Sequence, residues 1–426
     1  MNRKIYLDYA SSTPIDKKVL EAMMPYLKRH FGNPSSTHQF GQKARVALEQ
    51  AREQVASFLH CKADEVIFTS GATESNNLAI QCVIRSTLRL RSGQAKPHIV
   101  TTAIEHESVL EPCRTLEREG TAEVTYVVPN REGLIKVEDV KKAIQPNTIL
   151  VSVMYANSEV GTIQPMAEIG EMLKGFPSTP LSFESEPAVR GSEEPSGSRR
   201  EGSSLRVEDR TGKVLFHTDA VQAANFLECD VEKMGVDLLT LSGHKIYGPK
   251  GVGVLYRREK TFIQGIVEGG GQEDGLRSGT ENVAAIVGMG VAVEELESPR
   301  RMIATITIRQ LRDKLIKAVL RKIPDSELTG SSERRLANNA HFRFEGVEGR
   351  DLVIRLDQKG IAVSTGSACS EKTQDASHVL LALGFSKKVA LSSLRITLGK
   401  QTKLEEIENV VKVLSQSVDR LRKTKV

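Results

Sequence analysis

The chain has 426 residues, 39% of them hydrophobic and 4% aromatic, with no tryptophan. That is enough apolar material for a sizeable core and roughly two domains. Its 59 basic and 54 acidic residues leave a net charge of +5 with no lysine/arginine block, which excludes a nucleic-acid-binding arm, and the scarcity of aromatics excludes a base-stacking platform.

The opening "MNRKIYLDYA" lacks an apolar signal core, and no stretch approaches the roughly 20 apolar residues of a membrane span. The five cysteines, Cys61, Cys82, Cys113, Cys229 and Cys369, are odd in number and never spaced C-x-x-C. No disulfide framework and no metal site is expected, and the expected location is the reducing cytoplasm.

In chain order, "DEVIFT" (64–69), "HIVTT" (98–102), "TILVSVMYA" (148–156), "VLFHTDA" (214–220) and "VDLLTLS" (236–242) read as β-branched, apolar strands. Segments with helical spacing separate them, such as "SNNLAIQCVIRS" (75–86) and "VEDVKKAI" (137–144). This alternation predicts an α/β fold on a mostly parallel sheet. Residues 176–213 break the rhythm: rich in Ser, Gly, Pro, Glu and Arg, they cannot bury enough surface to offset their ordering entropy. A surface excursion is expected there, a partner-docking element being the alternative. A helix through "NVAAIVGMGVAVEELE" (282–297) leads to a second, smaller domain from about residue 298. Near the end, "TKLEEIENVVKVLSQSVDRLRK" (402–423) has helical spacing, with Thr402 and Glu405 as its capping box.

Within this frame, "VDLLTLSGHKIYGPKGVGVLY" runs a strand into Ser242-Gly243-His244-Lys245, a glycine-rich turn and a second strand. Most lysines are solvated surface charges; one flanked by apolar strands is desolvated and its pKa falls, which suits a Schiff-base lysine. Asp219 ends a strand 26 residues earlier. It is either a helix cap or a carboxylate that pairs with a pyridinium nitrogen. "VIFTSGATESNNLAI" is a strand, a turn at Ser70-Gly71-Ala72-Thr73 and a helix, hence either an ordinary βα turn or a phosphate cradle at a helix N-terminus. His106 in "AIEHESVLEP" lies just past a strand, a core or surface histidine unless its ring stacks on a flat cofactor and moves a proton. "STGSACSE" (364–371) sets Cys369 among small residues, where a structural cysteine would sit in an apolar run.

Taken together, "YLDYASSTP", "FGNPSSTH", "SGATESNNLAI", "EHESVL", "HTDAVQA", "SGHKIYGPKGVG", "LRSGTEN" and "STGSACS" resemble the cysteine desulfurases of the NifS/IscS type, within the class V aminotransferase-like enzymes that depend on pyridoxal 5'-phosphate (PLP). The resemblance runs from residue 5 to about residue 415, interrupted at 176–213. It implies a fold-type-I PLP-dependent transferase and a homodimer. The large domain would span 15–297, and residues 1–14 with 298–426 would form a small α+β domain carrying the cysteine loop. It also implies roles. Lys245 would bind PLP covalently, Asp219 would pair with the ring nitrogen, His106 would stack on the ring, Gln222 would reach the phenolic oxygen, and Asn157 would lie beside the ring. Ala72, Thr73, Ser242 and His244 would hold the phosphate, with Thr280 reaching it from the other subunit. Asn33 and Arg395 would clamp the substrate carboxylate, a guanidinium meeting it with two parallel bonds. Cys369 would take sulfur from L-cysteine, leaving L-alanine, and pass it to a sulfur-acceptor or iron–sulfur scaffold protein, meeting a cluster or metal only during transfer.

Two departures stand out: the excursion, and Asp274 where these enzymes usually carry arginine. An aminotransferase would need no loop thiol, so "GSACS" argues against one. A selenocysteine lyase would use the same residues, and a non-catalytic partner with an aminotransferase fold would have no use for Lys245, Asp219, His106 and Cys369 together.

Replacing residues 180–211 with a short Gly/Ser linker is expected to leave PLP binding and alanine production near wild type. Loss of the soluble dimer in gel filtration would instead show that this segment packs on the body.

Overall fold

The computed structural model describes residues 4–88, 96–176, 213–261, 263–366 and 375–424, so Cys369 and residues 177–212 of the polar excursion lie outside the described residues. The largest sheet has seven strands in the order β2 (Val66–Thr69), β8 (Gly253–Arg257), β7 (Leu238–Ser242), β6 (Leu215–Asp219), β5 (Thr148–Ser152), β3 (His98–Thr102) and β4 (Glu123–Val127). Strand β8 runs antiparallel to both its neighbours, and the other pairs are parallel.

These strands are apolar on both sides because helices cover both faces, as a parallel sheet requires. Successive residues point oppositely. Ile67, Ile99, Leu238 and Leu255 pack on one face, with Leu78 and Val83 of helix Ala72–Leu88 and Cys113 of helix Glu107–Arg118. Phe68, Val100, Val151, Phe216 and Leu239 pack on the other, against Val55, Ile169 and Met289. Each strand stretch taken from the sequence lies in this sheet, although β5 stops at Ser152, short of the pattern read through residue 156.

A second core is built from both ends of the chain. β1 (Ile5–Tyr6) pairs in parallel with β11 (Ile361–Ala362), and β12 (Ser393–Thr397), β10 (Asn339–Phe344) and β9 (Ser326–Leu328) form an antiparallel sheet. Ile5 and Leu7 join Leu315, Phe342, Leu352, Ile396, Val410 and Leu414 in its interior. Helix Val283–Leu296 ends at the threshold of this region. Ser298 then caps a new helix, Pro299–Lys322, its Oγ accepting from the Arg301 N–H at 3.3 Å with Pro299 at the first helical position.

The last helix, Leu404–Thr424, starts differently from the expectation. Thr402 does not cap it: its hydroxyl accepts from the Gly399 N–H at 3.0 Å, while the Glu406 carboxylate reaches the Lys403 N–H at 2.9 Å. The helix begins at Leu404, so the residues placed for reciprocal capping are Lys403 and Glu406, one step along from Thr402 and Glu405. Among the described residues no helix is long and apolar enough to cross a membrane.

Candidate active site

In open α/β sheets the crevice at the carboxyl ends of the strands is where loops diverge and leave room for a ligand. Here that edge borders a cavity of about 520 Å³, within the usual range for a small-molecule site. Strand β2 delivers Ser70–Thr73 to it, β3 leads to His106, β5 to Asn157, β6 to Asp219 and Gln222, and β7 to Ser242, His244 and Lys245. The second core supplies the opposite wall, with Ala10, Ser11, Gly366, His378 and Arg395.

Lys245 closes a 3-10 turn, Gly243–Lys245. Its Nζ donates to the carbonyls of Ala10 at 2.7 Å and Ser11 at 2.8 Å. The ammonium is therefore held by backbone dipoles, not simply desolvated between strands as the pattern suggested. Ser242 is buried at the end of β7, and Gln222 Nε2 donates to the same Ala10 carbonyl at 3.0 Å.

Asp219 and His106 belong to one hydrogen-bond chain. Asp219 Oδ2 accepts from Asn76 Nδ2 at 2.9 Å, and Asn76 Nδ2 also donates to Ser108 Oγ at 2.8 Å. Ser108 Oγ lies 2.8 Å from His106 Nδ1, which also accepts from the Ser108 N–H at 3.1 Å. The second Asp219 oxygen accepts from the Val221 N–H at 3.0 Å, a turn contact that leaves the carboxylate lining the cavity. His106 likewise caps helix Glu107–Arg118 while its ring faces the cavity. With Nδ1 accepting, the ring proton belongs on Nε2. Enclosure by protein lowers the His106 pKa, Asp219 opposes the shift, and Lys245 adds to it. His244 is pushed down to about 4, first by burial and then by the charges of Lys245 and Lys250. Both rings are therefore neutral near pH 7.

Two glycines open the floor. Gly71, at φ +153°, has empty space where a Cβ would stand, and Ala72 begins the helix behind it. A Cβ on Gly253 would lie 2.6 Å from the Gly71 carbonyl carbon, so only glycine lets β8 run so close beneath this loop.

Arg395 is buried and lines the cavity, with Nη2 paired to Asp8 at 2.8 Å and donating to Ser11 Oγ at 2.9 Å. Asn157 is buried, its Nδ2 donating to the Ile104 carbonyl at 2.9 Å and its Oδ1 capping the N–H groups of Glu159 and Val160. Asn33 does not line this cavity; it is exposed, with Oδ1 accepting from the Ser35 N–H. Thr280 is also exposed and off the cavity. Asp274 is exposed in the 3-10 turn Gln272–Gly275, where Glu273 beside it pairs with Arg52 at 2.7 Å.

Cys369 lies outside the described residues, but Gly366 and His378 on either side of its segment border the cavity. Burial pushes the Cys61, Cys82, Cys113 and Cys229 thiols up to about 12. They are inert thiols at neutral pH. His60, Glu228 and Asp230 bring three ligand-type atoms within 4.8 Å of one another, and Lys233 pairs with both carboxylates.

The sequence reading did not reach several residues. Asn76 and Ser108 follow the motif residues Thr73 and His106 by three and two positions, and that spacing was the available signal. Glu105 sits directly behind His106, fully buried, with Oε1 accepting from Thr102 Oγ1 at 2.7 Å and the Met154 N–H at 2.8 Å. Burial pushes its pKa up to about 8.

The class of molecule follows from this edge: an α/β protein with a lysine, a carboxylate and a glycine-floored helix N-terminus converging on one cavity. The pattern of the aminotransferase class-V family matches residues 5–176 and 197–410. A cysteine desulfurase IscS from Dictyoglomus turgidum is 43% identical over 99% of this chain and 96% of its own length. A solved NifS-like protein superposes with a TM-score of 0.82 at 32% identity, covering 98% of this chain and 100% of that one. The solved structure of SspA in complex with cysteine has a TM-score of 0.72 at 36% identity, covering 93% of this chain and 99% of the other. The chain belongs to the class-V aminotransferases and, within them, to the cysteine desulfurases, which depend on PLP.

The residues fit that cofactor. The open space at Gly71 and the helix N-terminus suit a phosphate, Lys245 an aldehyde, Asp219 a ring nitrogen and His106 a flat ring.

Glu105 generates a pH test. Its folded pKa is about 8, against 4.5 in an unconstrained chain, so the folded state holds a proton that the unfolded state gives up. Wild-type stability falls across that window, by at most about 1.4 kcal/mol per pH unit. Glu105→Gln keeps an acceptor for Thr102 and Met154 without titrating. Urea unfolding at pH 5 and pH 8 is expected to favour the variant progressively as pH rises; parallel curves would refute a protonated Glu105.

Proposed function

We propose that the cavity binds PLP and that Lys245, Asp219, His106 and Cys369 carry the desulfurase chemistry. The observation that carries this is the convergence of the first three on one cavity, which Gly366 and His378, before and after the segment bearing Cys369, also border. The enzyme takes L-cysteine to L-alanine and hands the sulfur on.

Ala72, Thr73, Ser242 and His244 would hold the phosphate, with Thr280 contributed by the second copy of a homodimer. Asn157 would lie beside the ring and Gln222 would reach its phenolic oxygen. When bound, PLP supplies an electron sink for the charge left at the substrate α-carbon. Lys245 would anchor the cofactor, and its amine, when free, would take and return the α-proton. Asp219, oriented by Asn76, would pair with the ring nitrogen. His106, neutral with its proton on Nε2, is placed to move a proton inside the cavity.

Arg395 receives the substrate carboxylate, which displaces the Asp8 contact. Asn33, like Thr280, lies off the cavity that a single chain forms, and we keep it with Arg395 as the proposed clamp on the substrate carboxylate. The Cys369 thiolate attacks the substrate sulfur. An S–S bond forms, the substrate C–S bond breaks with its electron pair going to carbon, and that carbon takes a proton to become the methyl of alanine. Cys369 is left as a persulfide for a sulfur-acceptor or iron–sulfur scaffold protein in the cytoplasm.

We assign the large PLP-binding unit to residues 15–297 and the small one to residues 1–14 and 298–426. The core that joins Ile5 and Leu7 to residues beyond 308 supports that division.

Lys245→Ala is expected to lose the visible absorbance of bound PLP and all alanine release from cysteine; normal turnover would sink the assignment. Cys369→Ala is expected to keep that absorbance and its shift on adding cysteine, but to lose nearly all sulfide and alanine production. Mass spectrometry of the wild type after brief exposure to cysteine should find one extra sulfur on the Cys369 peptide. Sulfur on Cys61, Cys82, Cys113 or Cys229 would refute the role.

A further inference from the structure

Glu159 borders the same cavity yet has no part in the chemistry above. It is 3% exposed, and a buried carboxyl is unfavourable unless its oxygens find partners. Its backbone is fixed, the N–H donating to Asn157 Oδ1 at 2.9 Å and the carbonyl accepting from Asn339 Nδ2 at 3.0 Å. Side-chain Oε2 accepts from Ser377 Oγ at 2.8 Å. Oε1 has no hydrogen-bond partner and stands 3.7 Å from His341 Nε2.

The stem of Glu159 lies against Gly366. A Cβ on Gly366, which holds φ +104°, would come within 2.5 Å of Glu159 Cγ. Gly366 and Ser377 stand on the two sides of residues 367–374, the segment that contains Cys369. Arg395 ties the same strands of chain together, Nη1 donating to the carbonyls of Ser158 at 3.0 Å and Gly366 at 3.2 Å.

We propose that Glu159 is a positioning residue for sulfur transfer, its stem held against Gly366 and its carboxyl against Ser377, the described residues before and after the segment that contains Cys369. The proposal rests on Cys369 being the sulfur acceptor.

The chemistry of the side chain fits this role. Burial pushes its pKa up to about 7, against the lowering by the Ser377 hydroxyl and the Arg395 guanidinium. Burial pushes the facing His341 down to about 3, so that ring is neutral. A protonated Glu159 accepts from Ser377 and offers a proton toward His341. A glutamine amide can do the same; alanine can do neither.

The test uses PLP-loaded wild type, Glu159→Gln, Glu159→Ala, Ser377→Ala and the double alanine variant. It reads cofactor absorbance, KM for cysteine and the single-turnover rate at which sulfur appears on Cys369. Absorbance and KM are expected to stay within about twofold of wild type throughout. The transfer rate is expected to fall ~10-fold or more in each alanine variant, as small misplacements do. Glu159→Gln should stay within about threefold of wild type, and the double variant should be no slower than the singles, the two acting as one contact. Wild-type transfer in Glu159→Ala, a glutamine variant as slow as alanine, or cofactor loss in step with rate would overturn the proposal. Should Glu159→Ala fail to fold, wild-type transfer in Ser377→Ala overturns it alone. A wild-type enzyme that puts no sulfur on Cys369 would instead remove the assignment on which the proposal rests.

Discussion

The short stretch from Asp8 to Thr13 holds the site together. Its carbonyls at Ala10 and Ser11 receive the Lys245 ammonium, and Ala10 also receives Gln222. Asp8 and Ser11 hold the Arg395 guanidinium. Thr13 Oγ1 donates to the His244 carbonyl at 3.0 Å and accepts from the Tyr247 N–H at 2.8 Å. Six residues near one end of the chain thus touch both the sheet edge that presents the lysine and the strand that presents the arginine. With the contacts of Arg395 to Ser158 and of Asn339 to Glu159, they set how the seven-stranded sheet and the second core meet, and a cavity between them needs that geometry fixed.

Charge inside the cavity is handled by neutralisation as much as by pairing. Glu105 and the two histidines are held in their uncharged forms by burial, with the neighbouring lysines adding to the shift at His244. Lys245 and Arg395 meet dipoles or a carboxylate instead. The fixed charges that remain are those an amino-acid substrate and an anionic cofactor would meet. Buried ionisable groups are unfavourable for folding and cluster where chemistry needs them. The Asn76–Asp219 and Ser108–His106 contacts extend the same economy, since one amide orients the carboxylate and links it to the hydroxyl beside the imidazole.

Much of this was legible in the chain because it depends on local order. Strand patterns ending in Asp219 and Ser242, the glycine turn at Gly71, and the lysine after a strand are each set by residues within a few positions of one another. In a parallel sheet every such strand end falls on one edge, so the sequence already implied that Asp219, Lys245, His106 and the Ser70–Thr73 turn would be neighbours. The state of the other cysteines was not legible in this way: only the structure shows Cys82, Cys113 and Cys229 buried and Cys61 partly so. The capping of the last helix failed by one residue because two adjacent starts were both chemically sound, and a turn hydrogen bond to Gly399 claimed Thr402.

The tertiary structure alone decided everything that joins distant parts of the chain. No local pattern places the Ala10 carbonyl on Lys245, 235 positions away, or Asp8 on Arg395, 387 positions away. Nor does one show that Glu159 meets Ser377, or that Asn33 and Thr280 lie off the cavity that a single chain forms. The sequence determined the strands, their ends and the reactive side chains carried there, because propensity, patterning and turn chemistry act over short spans. Which side chain faces which partner, and which buried carboxyl keeps its proton, depends on how the two cores pack, because hydrogen bonds and desolvation are set by neighbours in space.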